Sequence, residues 1–579
     1  MNKLMLGNEA VARGVFEAGV TVVSSYPGTP STEITEFIAK YDEIYAEWAP
    51  NEKVAVEVAI GASIGGARAF SAMKHVGLNV AADPLFTVSY TGVGGGLVIA
   101  VADDPGMHSS QNEQDSRHYA RAAKVPMLEP SDSEECLRYT KVAYKLSEKF
   151  DTPILLRLST RVSHSQSLAQ TGEREDFELK GYTKNPQKYV MMPAMAQKRH
   201  VVVEERTIAM AEFAETTDLN SVEMNDTKIG IITSGAAYQY AKEALPNASF
   251  LKLGMVYPLP KTLILDFASK VDTLYVIEEL DDFIETHCKK IGIKVIGKQL
   301  FSLLGEINAA IIKEKILHES IEKTTLDQQA PPRPPVLCPG CPHRGVFYVL
   351  NKLKLYVSGD IGCYTLGALA PLSAMDACVC MGASISMLHG FDKARGKEQA
   401  IKSVAVIGDS TFIHSGITGL IDIVYNKGNS TVIILDNSIT GMTGHQQNPT
   451  TGLTIKNEPT TNVDLVKLAE AIGVKRIQVC DPFQLAEFEK LVKEEIEADE
   501  PSVIIAQRPC ALLKSVKPQP VFVIDEDKCT GCKMCMRLGC PAITMGDKKA
   551  TIDEVQCIGC SLCEKVCKFG AISGGASRG

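Results

Sequence analysis

SVAVIGDSTFIHSGITGLIDIVYNKGNSTVIILDNSITGMTGHQ, residues 403–446, is the stretch that decides the fold of this chain. It contains two short apolar runs, Val404–Ile407 and Thr431–Leu435, and each run predicts a buried parallel strand. The residues between them predict a helix. Two parallel strands joined in this way end at the same edge of one sheet, where open α/β sheets bind their ligands.

Oxygen-bearing side chains follow both strands, because Asp409 comes after the first and Asn437 after the second. Mg²⁺ prefers oxygen ligands and completes its shell with phosphate and water. The pair therefore predicts a magnesium site, with a backbone carbonyl near Ile439 as a third ligand. Gly408 and Gly441 would let the backbone approach a diphosphate closely. The alternative is an ordinary strand–turn–helix unit with solvated turn acids.

Length and composition bound the class of protein. The chain has 579 residues, enough for about four domains, and its net charge of −9 argues against nucleic acid as a partner. It has no apolar run long enough for a membrane span, and its N-terminus lacks a signal-peptide core, so we expect no membrane partner and a cytoplasmic protein. Its 17 cysteines then indicate metal binding rather than disulfides, and an anaerobic source.

Residues 1–170 form the first predicted α/β domain. Thr21–Tyr26 predicts a strand, and the loop Pro27–Thr32 leaves it. A helix is expected to begin near Glu52 and to continue through the small-residue stretch AIGASIGGARAF. Further on, Thr87–Tyr90 predicts a strand that runs into a glycine-rich loop, which we expect to lie against a cofactor.

The polar stretch from Ser109 to His118 predicts an active-site loop, in which Arg117 would pair with a substrate carboxylate. A surface ion pair is the alternative for Arg117. Residues 171–225 are expected to form a connecting segment with helices, and 226–323 a small α/β domain without evident chemistry. The proline-rich residues 324–337 predict a linker to a further α/β domain at 338–515.

That domain carries a CPGC segment, a GDIGC segment and an RPC segment, whose cysteines are Cys338, Cys341, Cys363 and Cys510. A CxxC pair presents two thiolates to one metal centre. Zinc held by four thiolates and a redox-active pair are the alternatives. Three other cysteines fit no such segment and are expected to be buried thiols: Cys378, Cys380 and Cys480.

The last residues, 520–579, carry a tandem cysteine repeat that predicts a small metal-stapled domain. The repeat consists of Cys529, Cys532, Cys535 and Cys540, followed by Cys557, Cys560, Cys563 and Cys567. It resembles bacterial two-cluster ferredoxins, in which the fourth cysteine of each run binds the other cluster. This resemblance implies one [4Fe-4S] cluster on Cys529, Cys532, Cys535 and Cys567, and a second on Cys557, Cys560, Cys563 and Cys540. A zinc ribbon does not show this doubled pattern.

Two further segments resemble thiamine diphosphate enzymes. The GDS…DN pattern is similar to their GDG…NN motif, with Ser410 at the third position and Asp436 in place of the first Asn. The segment YPGTPST resembles the entry loop of the pyrimidine-binding domain in 2-oxoacid:ferredoxin oxidoreductases. The order of all four domains is similar to the indolepyruvate branch of that family, and the resemblance covers nearly the whole chain.

The resemblance implies an α/β fold of several doubly wound parallel-sheet domains, followed by a two-cluster ferredoxin-like α+β domain. It implies thiamine diphosphate and Mg²⁺ as cofactors, and a third [4Fe-4S] cluster held near thiamine by the four cysteines of the CPGC, GDIGC and RPC segments. It also implies that Thr29 lies near substrate and cofactor. Glu52 would hold the aminopyrimidine N1′, because Gly61 follows it at the family's usual spacing. Glu57 is the second choice.

The activity implied is the CoA-dependent oxidative decarboxylation of arylpyruvates such as indolepyruvate and phenylpyruvate, with electrons passing to ferredoxin. A β subunit would supply the γ-type domain that this chain lacks, which gives a hetero-oligomer. Two alternatives remain open. One is the same chemistry on another 2-oxoacid, such as pyruvate or 2-oxoglutarate. The other is a non-catalytic electron-transfer subunit whose thiamine site is vestigial.

Overall fold

The computed structural model describes residues 1–320 and 334–574. The chain divides into two compact units, Met1–Leu326 and Asp327–Gly579, called unit 1 and unit 2 below. Most of the predicted linker at 324–337 lies outside the described residues. None of the described helices combines the length and the apolar character needed to cross a bilayer.

Unit 1 contains short strands alternating with helices. Its strands are β1 (Asn2–Leu6), β2 (Val22–Ser25), β3 (Tyr45–Trp48), β4 (Ala69–Lys74), β5 (Leu97–Asp103), β6 (Met127–Leu128), β7 (Ile154–Ser159), β8 (Gln166–Gln170), β9 (Ser221–Glu223), β10 (Asp226–Thr233), β11 (Ala248–Lys252), β12 (Met255–Tyr257) and β13 (Thr273–Ile277). Its helices are α1 (Gly7–Glu17), α2 (Thr32–Ile38), α3 (Glu52–Ile64), α4 (His75–Val80), α5 (Ala82–Thr91), α6 (Arg117–Ala123), α7 (Ser133–Phe150), α8 (Thr160–His164), α9 (Pro186–Tyr189), α10 (Pro193–Ala214), α11 (Gly235–Ala244), α12 (Lys261–Ala268), α13 (Phe283–Lys290), α14 (Ala309–Ile312) and a π-helix (Lys313–Leu317).

The main sheet of unit 1 has seven strands in the order β12-β6-β7-β5-β4-β2-β3. Its strands are parallel apart from β12, which pairs antiparallel with β6. A four-stranded sheet, β13-β10-β11-β9, follows, and β1 pairs with β8 apart from both. In sequence, β12 lies between β11 and β13 of the four-stranded sheet, but it pairs with β6 in the seven-stranded sheet. The predicted domain 226–323 therefore contributes a strand to the sheet of the predicted domain 1–170.

Unit 2 contains a five-stranded parallel sheet and a small cysteine-rich region. Its strands are β14 (Tyr356–Ser358), β15 (Ser403–Gly408), β16 (Thr431–Asp436), β17 (Arg476–Cys480), β18 (Ser502–Gln507), β19 (Phe522–Ile524), β20 (Ile543–Met545), β21 (Ala550–Ile552) and β22 (Ile572–Gly574). Its helices are α15 (His343–Leu353), α16 (Ala383–Arg395), α17 (Lys397–Ala400), α18 (Asp409–Thr411), α19 (Ile417–Tyr425), α20 (Leu465–Ile472), α21 (Leu485–Ile496) and α22 (Leu562–Val566), with 3-10 helices at Cys363–Ala368 and Cys535–Leu538 and a π-helix at Phe412–Gly416.

The sheet order in unit 2 is β14-β15-β16-β18-β17, with every neighbour parallel. The two strands predicted from the opening stretch are adjacent, and every residue of both is buried. Alternate residues pack into cores on the two faces of the sheet, as the continuous apolar runs predict. The cysteine-rich region pairs β19 with β22 and β20 with β21, antiparallel in both cases. The predicted α/β class with a small C-terminal domain is confirmed.

One predicted strand is wrong. Thr87–Tyr90 lies in helix α5, although its β-branched and aromatic residues favour a strand. The helix buries Leu85 and Val88 in the core of unit 1, so packing overrides the local preference. The segment predicted as a connection, 171–225, includes α10, which is 22 residues long.

Candidate functional site

The carboxyl edge of the five-stranded sheet brings together the residues predicted to hold a metal. Gly408 is in register with Leu435 on the neighbouring strand, so Asp409 and Asp436 leave the two strands side by side. Asn437 follows one residue later. The edge also receives β18, since Arg508 N donates to the Asp436 carbonyl at 3.0 Å and Cys510 N to the Asn437 carbonyl at 2.9 Å. Three loops therefore meet at one point.

Asp409 is the most perturbed side chain at this edge. Its side chain is buried, and Oδ1 accepts a hydrogen bond from Ser410 N at 2.7 Å. Its Oδ2 is buried and makes no hydrogen bond within the part of the chain that the structure describes. Burial, with the neighbouring Asp436 carboxylate, raises the pKa of Asp409 to about 8. Two buried carboxylates with one oxygen left free fit a divalent cation, which would supply the missing positive charge.

Asn437 is held in place by its own turn. Its Oδ1 accepts from Ile439 N at 3.2 Å, and its Nδ2 lies 3.4 Å from His343 Nε2. Burial lowers the pKa of His343 to about 4, so the ring is neutral and its Nε2 can accept a hydrogen bond from Asn437 Nδ2. That contact points the amide oxygen away from His343. His343 lies two residues after the CPGC segment, and the sequence analysis gave it no role.

The predicted glycines have different neighbours. A Cβ on Gly408 would lie 2.7 Å from Tyr364 Cε1, so a packed ring already requires glycine there, whatever ligand binds. A Cβ on Gly441 would lie 3.4 Å from Cys363 Sγ, which places the Gly441 backbone beside that thiol. Asp360, also missed from the sequence, is buried and accepts from Gly382 N and Ser384 N at 2.8 and 3.0 Å, which fixes the loop that carries Cys363.

The four cysteines of the CPGC, GDIGC and RPC segments lie together beside this edge. Burial raises the pKa of Cys341 to about 12, and the neighbouring Cys363 and Cys338 thiolates add to the shift. Burial likewise raises the pKa of Cys363 to about 11, with Cys510 and Cys338 as its charged neighbours. Burial also raises the pKa of Cys510, and the Asp409 carboxylate adds to that shift. Thus a set of thiols that spans 338–510 in sequence converges within reach of the predicted diphosphate site.

The C-terminal cysteines form two separate groups, each around its own cavity. One cavity is lined by apolar residues such as Ile524 and Ile572 and by Cys529, Cys532, Cys535 and Cys567. The other is lined by apolar residues such as Phe522 and Leu562 and by Cys540, Cys557, Cys560 and Cys563. None of the described cysteines forms a disulfide. Four cysteines around an apolar cavity fit a [4Fe-4S] cluster, and the fourth cysteine of each run lies with the other group, as the ferredoxin resemblance implies.

Arg344 joins the CPGC loop to the C-terminal region. Its side chain is buried and donates from Nη1 to the Leu538 carbonyl at 2.6 Å, and from Nη2 to the carbonyls of Leu337 and Cys338 at 2.5 and 3.0 Å. It also lines the cavity of the Cys540 group. A Cβ on Gly340 would lie 3.5 Å from Cys560 Cβ, so the two cysteine regions touch. Within the described residues, the hydrogen bonds of Arg344 all go to neutral carbonyls, which fits a cation next to anionic clusters.

In unit 1, Glu52 begins helix α3, whose N-terminus is capped by Asn51 through a 2.9 Å bond to Val54 N. The Glu52 carboxylate is buried beside Gly77, where a Cβ would come within 2.5 Å of Oε1. Burial lowers the pKa of Lys74, against the opposing pull of Asp104 and Glu52. The Glu52 carboxylate thus lies buried at the N-terminus of α3, against α4, which contains Gly77.

Lys74 connects Glu52 to the loop that carries Thr29. Its Nζ donates to the Ser109 carbonyl at 2.9 Å, and Ser109 Oγ donates to the Thr29 carbonyl at 3.3 Å. The Lys74 chain also covers Gly28. The polar loop at 109–118 therefore does reach Thr29, at the carboxyl edge of the parallel sheet. Lys74 itself was missed, because a lysine that ends a strand carries no sequence signal.

The second-choice carboxylate and the glycine-rich loop lie elsewhere. Glu57 is exposed and forms an ion pair with Lys53 one turn earlier. Gly94 and Gly95 pack against the carbonyls of Ser63 and Ala67, at the far end of α3 from Glu52. The glycines allow close packing on the helix end, and contact of this loop with a cofactor stays a prediction.

The role predicted for Arg117 is wrong. Its guanidinium is fully buried and makes a two-pronged contact with Asp115 at 2.6–3.1 Å. It also binds Glu278 Oε2 at 2.5 Å and the Glu279 carbonyl at 2.9 Å. These partners surround a guanidinium that has no exposed surface, so it is not available to a substrate carboxylate. Arg117 instead ties the first sheet of unit 1 to the second.

Two of the cysteines expected to be buried are exposed. Cys378 and Cys380 lie at the surface, in the loop before α16. Cys480, at the end of β17, is buried as predicted.

Comparisons with known proteins agree with this arrangement. Residues 13–229 match the family described as pyruvate flavodoxin/ferredoxin oxidoreductase, thiamine diP-binding. Residues 360–506 match the C-terminal TPP-binding domain of thiamine pyrophosphate enzymes, and 522–568 match the 4Fe-4S dicluster domain. The chain is therefore a thiamine diphosphate-dependent 2-oxoacid:ferredoxin oxidoreductase subunit with iron–sulfur clusters.

The family within that class follows from whole-chain relatives. The chain is 40% identical to an indolepyruvate oxidoreductase subunit IorA of Archaeoglobus fulgidus, over 98% of this chain and 97% of that protein. It is 39% identical to the subunit of the same name from Pyrococcus horikoshii, over 98% and 96%. A 2-oxoglutarate:ferredoxin oxidoreductase structure from Magnetococcus marinus covers 55% of this chain and 65% of its own, at 17% identity and a TM-score of 0.46. The chain belongs to the indolepyruvate oxidoreductase subunit IorA family.

Proposed function

We propose that this subunit oxidatively decarboxylates arylpyruvates, indolepyruvate and phenylpyruvate among them, to arylacetyl-coenzyme A, and passes the electrons to ferredoxin. The observation that carries the redox part lies within unit 2. There the Cys510 amide bonds the Asn437 carbonyl at 2.9 Å, and the Gly441 backbone lies beside Cys363. A predicted diphosphate site and a predicted cluster site thus share their loops. The names of the relatives support the aryl substrate.

Thiamine diphosphate, when bound, supplies the carbon nucleophile for the keto group and accepts the electron pair as CO₂ leaves. We propose that Asp409, Asn437 and the Ile439 carbonyl hold the Mg²⁺ of its diphosphate. His343 orients the Asn437 amide for this role, because its neutral Nε2 accepts a hydrogen bond from Asn437 Nδ2. Gly408, Ser410 and Gly441 form the adjoining backbone.

Glu52 is proposed to hold a proton at the pyrimidine N1′. A carboxylate that accepts this hydrogen bond stabilises the tautomer that acts as the base, and such tuning contributes about 10²–10⁴-fold to a rate. Glu52 is buried, and its carboxylate is one of the two that act on the ammonium group of Lys74. Thr29, linked to Lys74 through Ser109, is proposed to lie next to the substrate.

Three [4Fe-4S] clusters are proposed for unit 2. The set Cys338, Cys341, Cys363 and Cys510 is nearest the predicted diphosphate site, the Cys540 group follows through the Gly340 contact, and the Cys529 group is last. This order gives electrons one path from the site of decarboxylation to the outer end of the C-terminal region. We further propose a β subunit as partner, coenzyme A as the acyl acceptor, and a cytoplasmic location.

The test is 2-oxoacid-dependent viologen reduction by the anaerobically co-purified subunits, with coenzyme A present. The panel sets indolepyruvate and phenylpyruvate against pyruvate and 2-oxoglutarate. Higher kcat/KM for the aryl acids is expected, and activity on the short acids alone would overturn the substrate class. Glu52→Gln should abolish turnover while thiamine diphosphate and iron still bind. Glu57→Gln, on the exposed face of the same helix, is the matched control and should keep full activity. Binding of thiamine diphosphate without any turnover would point to a non-catalytic subunit.

A further inference from the structure

A groove opens in unit 2 between the five-stranded-sheet domain and the C-terminal cysteine region. Its volume is about 600 Å³. It is lined by residues of α15 and α21, by Pro371 and Leu372, and by residues of the C-terminal cysteine region.

The groove is strongly cationic. Its exposed basic side chains are Lys352, Lys354, Arg537, Lys565 and Lys568. Its one carboxylate, Glu489, is already paired with Lys352 at 2.5 Å and with Lys493 at 2.9 Å. Lys565 donates to the neutral amide oxygen of Gln484, which leaves its charge uncompensated. The chain as a whole carries a net charge of −9, so this local excess of cations stands against the general trend.

The groove also lies beside the Cys529 group, the last of the three proposed cluster sites. Met534 and Val566 immediately precede Cys535 and Cys567, and Lys568 immediately follows Cys567. Those two cysteines belong to the Cys529 group, the one that does not touch the CPGC loop. The Cys540 group is turned toward Gly340 instead. The groove therefore adjoins the outermost set of thiols, where electrons would leave the subunit.

We propose that this groove docks the acidic face of a ferredoxin, the electron acceptor of the reaction. This inference rests on the proposed function. Positive charge around an electron exit steers an acidic carrier to the correct patch and raises its association rate, which suits a brief encounter. A cluster held by the Cys529 group would give up one electron in each encounter, and the ferredoxin would gain it. Two encounters per 2-oxoacid account for the electron pair released with CO₂.

The test uses the anaerobic holoenzyme with an acidic two-[4Fe-4S] ferredoxin, and measures both its binding by titration and its reduction. The double variant Lys565→Glu with Lys568→Glu should weaken ferredoxin binding at least about tenfold and flatten its dependence on salt. Viologen reduction should not change, since the dye needs no docking patch. Lys467→Glu with Lys475→Glu makes the same charge change at exposed positions on and after α20, outside the groove, and should leave binding intact.

Each result separates the docking surface from the proposed function. Unchanged ferredoxin binding and reduction in the groove variant would overturn the docking surface, while substrate-dependent viologen reduction still supported the oxidoreductase. Loss of the β subunit on co-purification of the groove variant would overturn it too, because the groove would then be a subunit interface. Absence of viologen reduction in the unmodified enzyme would instead remove the proposed function.

Discussion

The two cysteine-rich regions of unit 2 are built on opposite plans. In the C-terminal region the thiols follow one another at short, repeated intervals between Cys529 and Cys567, and they are part of the hydrophobic core itself. The dispersed set, from Cys338 to Cys510, sits on loops around a parallel sheet whose core is built from residues such as Val406 and Ile433. One region depends on its metal for a core, and the other is carried by a fold that has its own.

The difference shows what spacing alone can reveal. A short repeat constrains its own geometry, so the grouping of the C-terminal cysteines follows from sequence. The dispersed set forms only in the folded chain, where Cys363 follows β14, Cys510 follows β18, and the CPGC segment before α15 supplies the other two cysteines. Only in the folded chain does this set lie next to Asp409 and Asn437, so removing one of its thiols should affect activity more than stability.

The largest effect is expected from removing thiols from the C-terminal core. Cys535 and Cys563 are both buried in it, and a small metal domain without its metal loses its folding free energy. The double change Cys535→Ser with Cys563→Ser should unfold residues from about 520 onward and abolish ferredoxin reduction. Limited proteolysis should then release that region while β14–β18 stay resistant. If the C-terminal region of the variant resisted protease as well as that of the unmodified protein, its core would not depend on metal.

The dispersed set should respond differently. Cys363→Ser should reduce 2-oxoacid-dependent electron transfer to near background, because it cuts the path closest to the predicted diphosphate site. Its thermal unfolding should change little, since the sheet core contains none of Cys363's atoms. Cys380→Ser is the control, because Cys380 is exposed and belongs to none of the three cysteine sets. Its activity and melting temperature should both be unchanged. Gross unfolding by Cys363→Ser would mean that this set, too, is structural.

Arg344 tests the link between the two regions. Arg344→Gln removes charged hydrogen bonds to the Leu538 and Leu337 carbonyls and leaves buried acceptors behind, at an expected cost of about 2–4 kcal/mol. Loss of a buried cation should also make the reduction potential of the neighbouring cluster more negative. Anaerobic melting and an EPR-monitored redox titration measure the two effects. Lys548→Gln, at an exposed position of the same region, should produce neither.

The smallest effect is expected at Gly441. An added Cβ would lie 3.4 Å from Cys363 Sγ, an ordinary contact. Gly441→Ala should therefore change activity by no more than about twofold, within the range of mild substitutions. Gly408→Ala is the severe counterpart, because its Cβ would lie 2.7 Å from Tyr364 Cε1. Equal losses of thiamine diphosphate binding in both variants would show that packing against Tyr364 is not what requires glycine at 408.

Much of this could be predicted from sequence, for physical reasons that differ by region. Parallel strands buried on both faces are continuous apolar runs, so β15 and β16 and the acids that follow them are visible directly. Helix α5 is not, because its strand-favouring residues are overruled by core packing.

The roles of Arg117, His343 and Arg344 were not predicted because each of these residues contacts a partner far away in the sequence. The partner of Arg117, Glu278, is 161 residues away in sequence, so nothing local distinguishes a buried ion pair from a substrate ligand. His343 and Asn437 are 94 residues apart, and Arg344 reaches a carbonyl 194 residues on. The signal for His343 and Arg344 was their position directly after the CPGC segment and Pro342.

Iron content tests the central claim most directly, namely that the dispersed cysteines hold a cluster of their own. Iron and acid-labile sulfide are measured per chain on the anaerobic protein and on Cys363→Ser, with EPR spectra of the reduced samples. Three [4Fe-4S] clusters predict about 12 irons in the unmodified chain and about 8 in the variant, with loss of one EPR component. About 8 irons in both proteins would contradict the claim and leave the clusters to the C-terminal region alone.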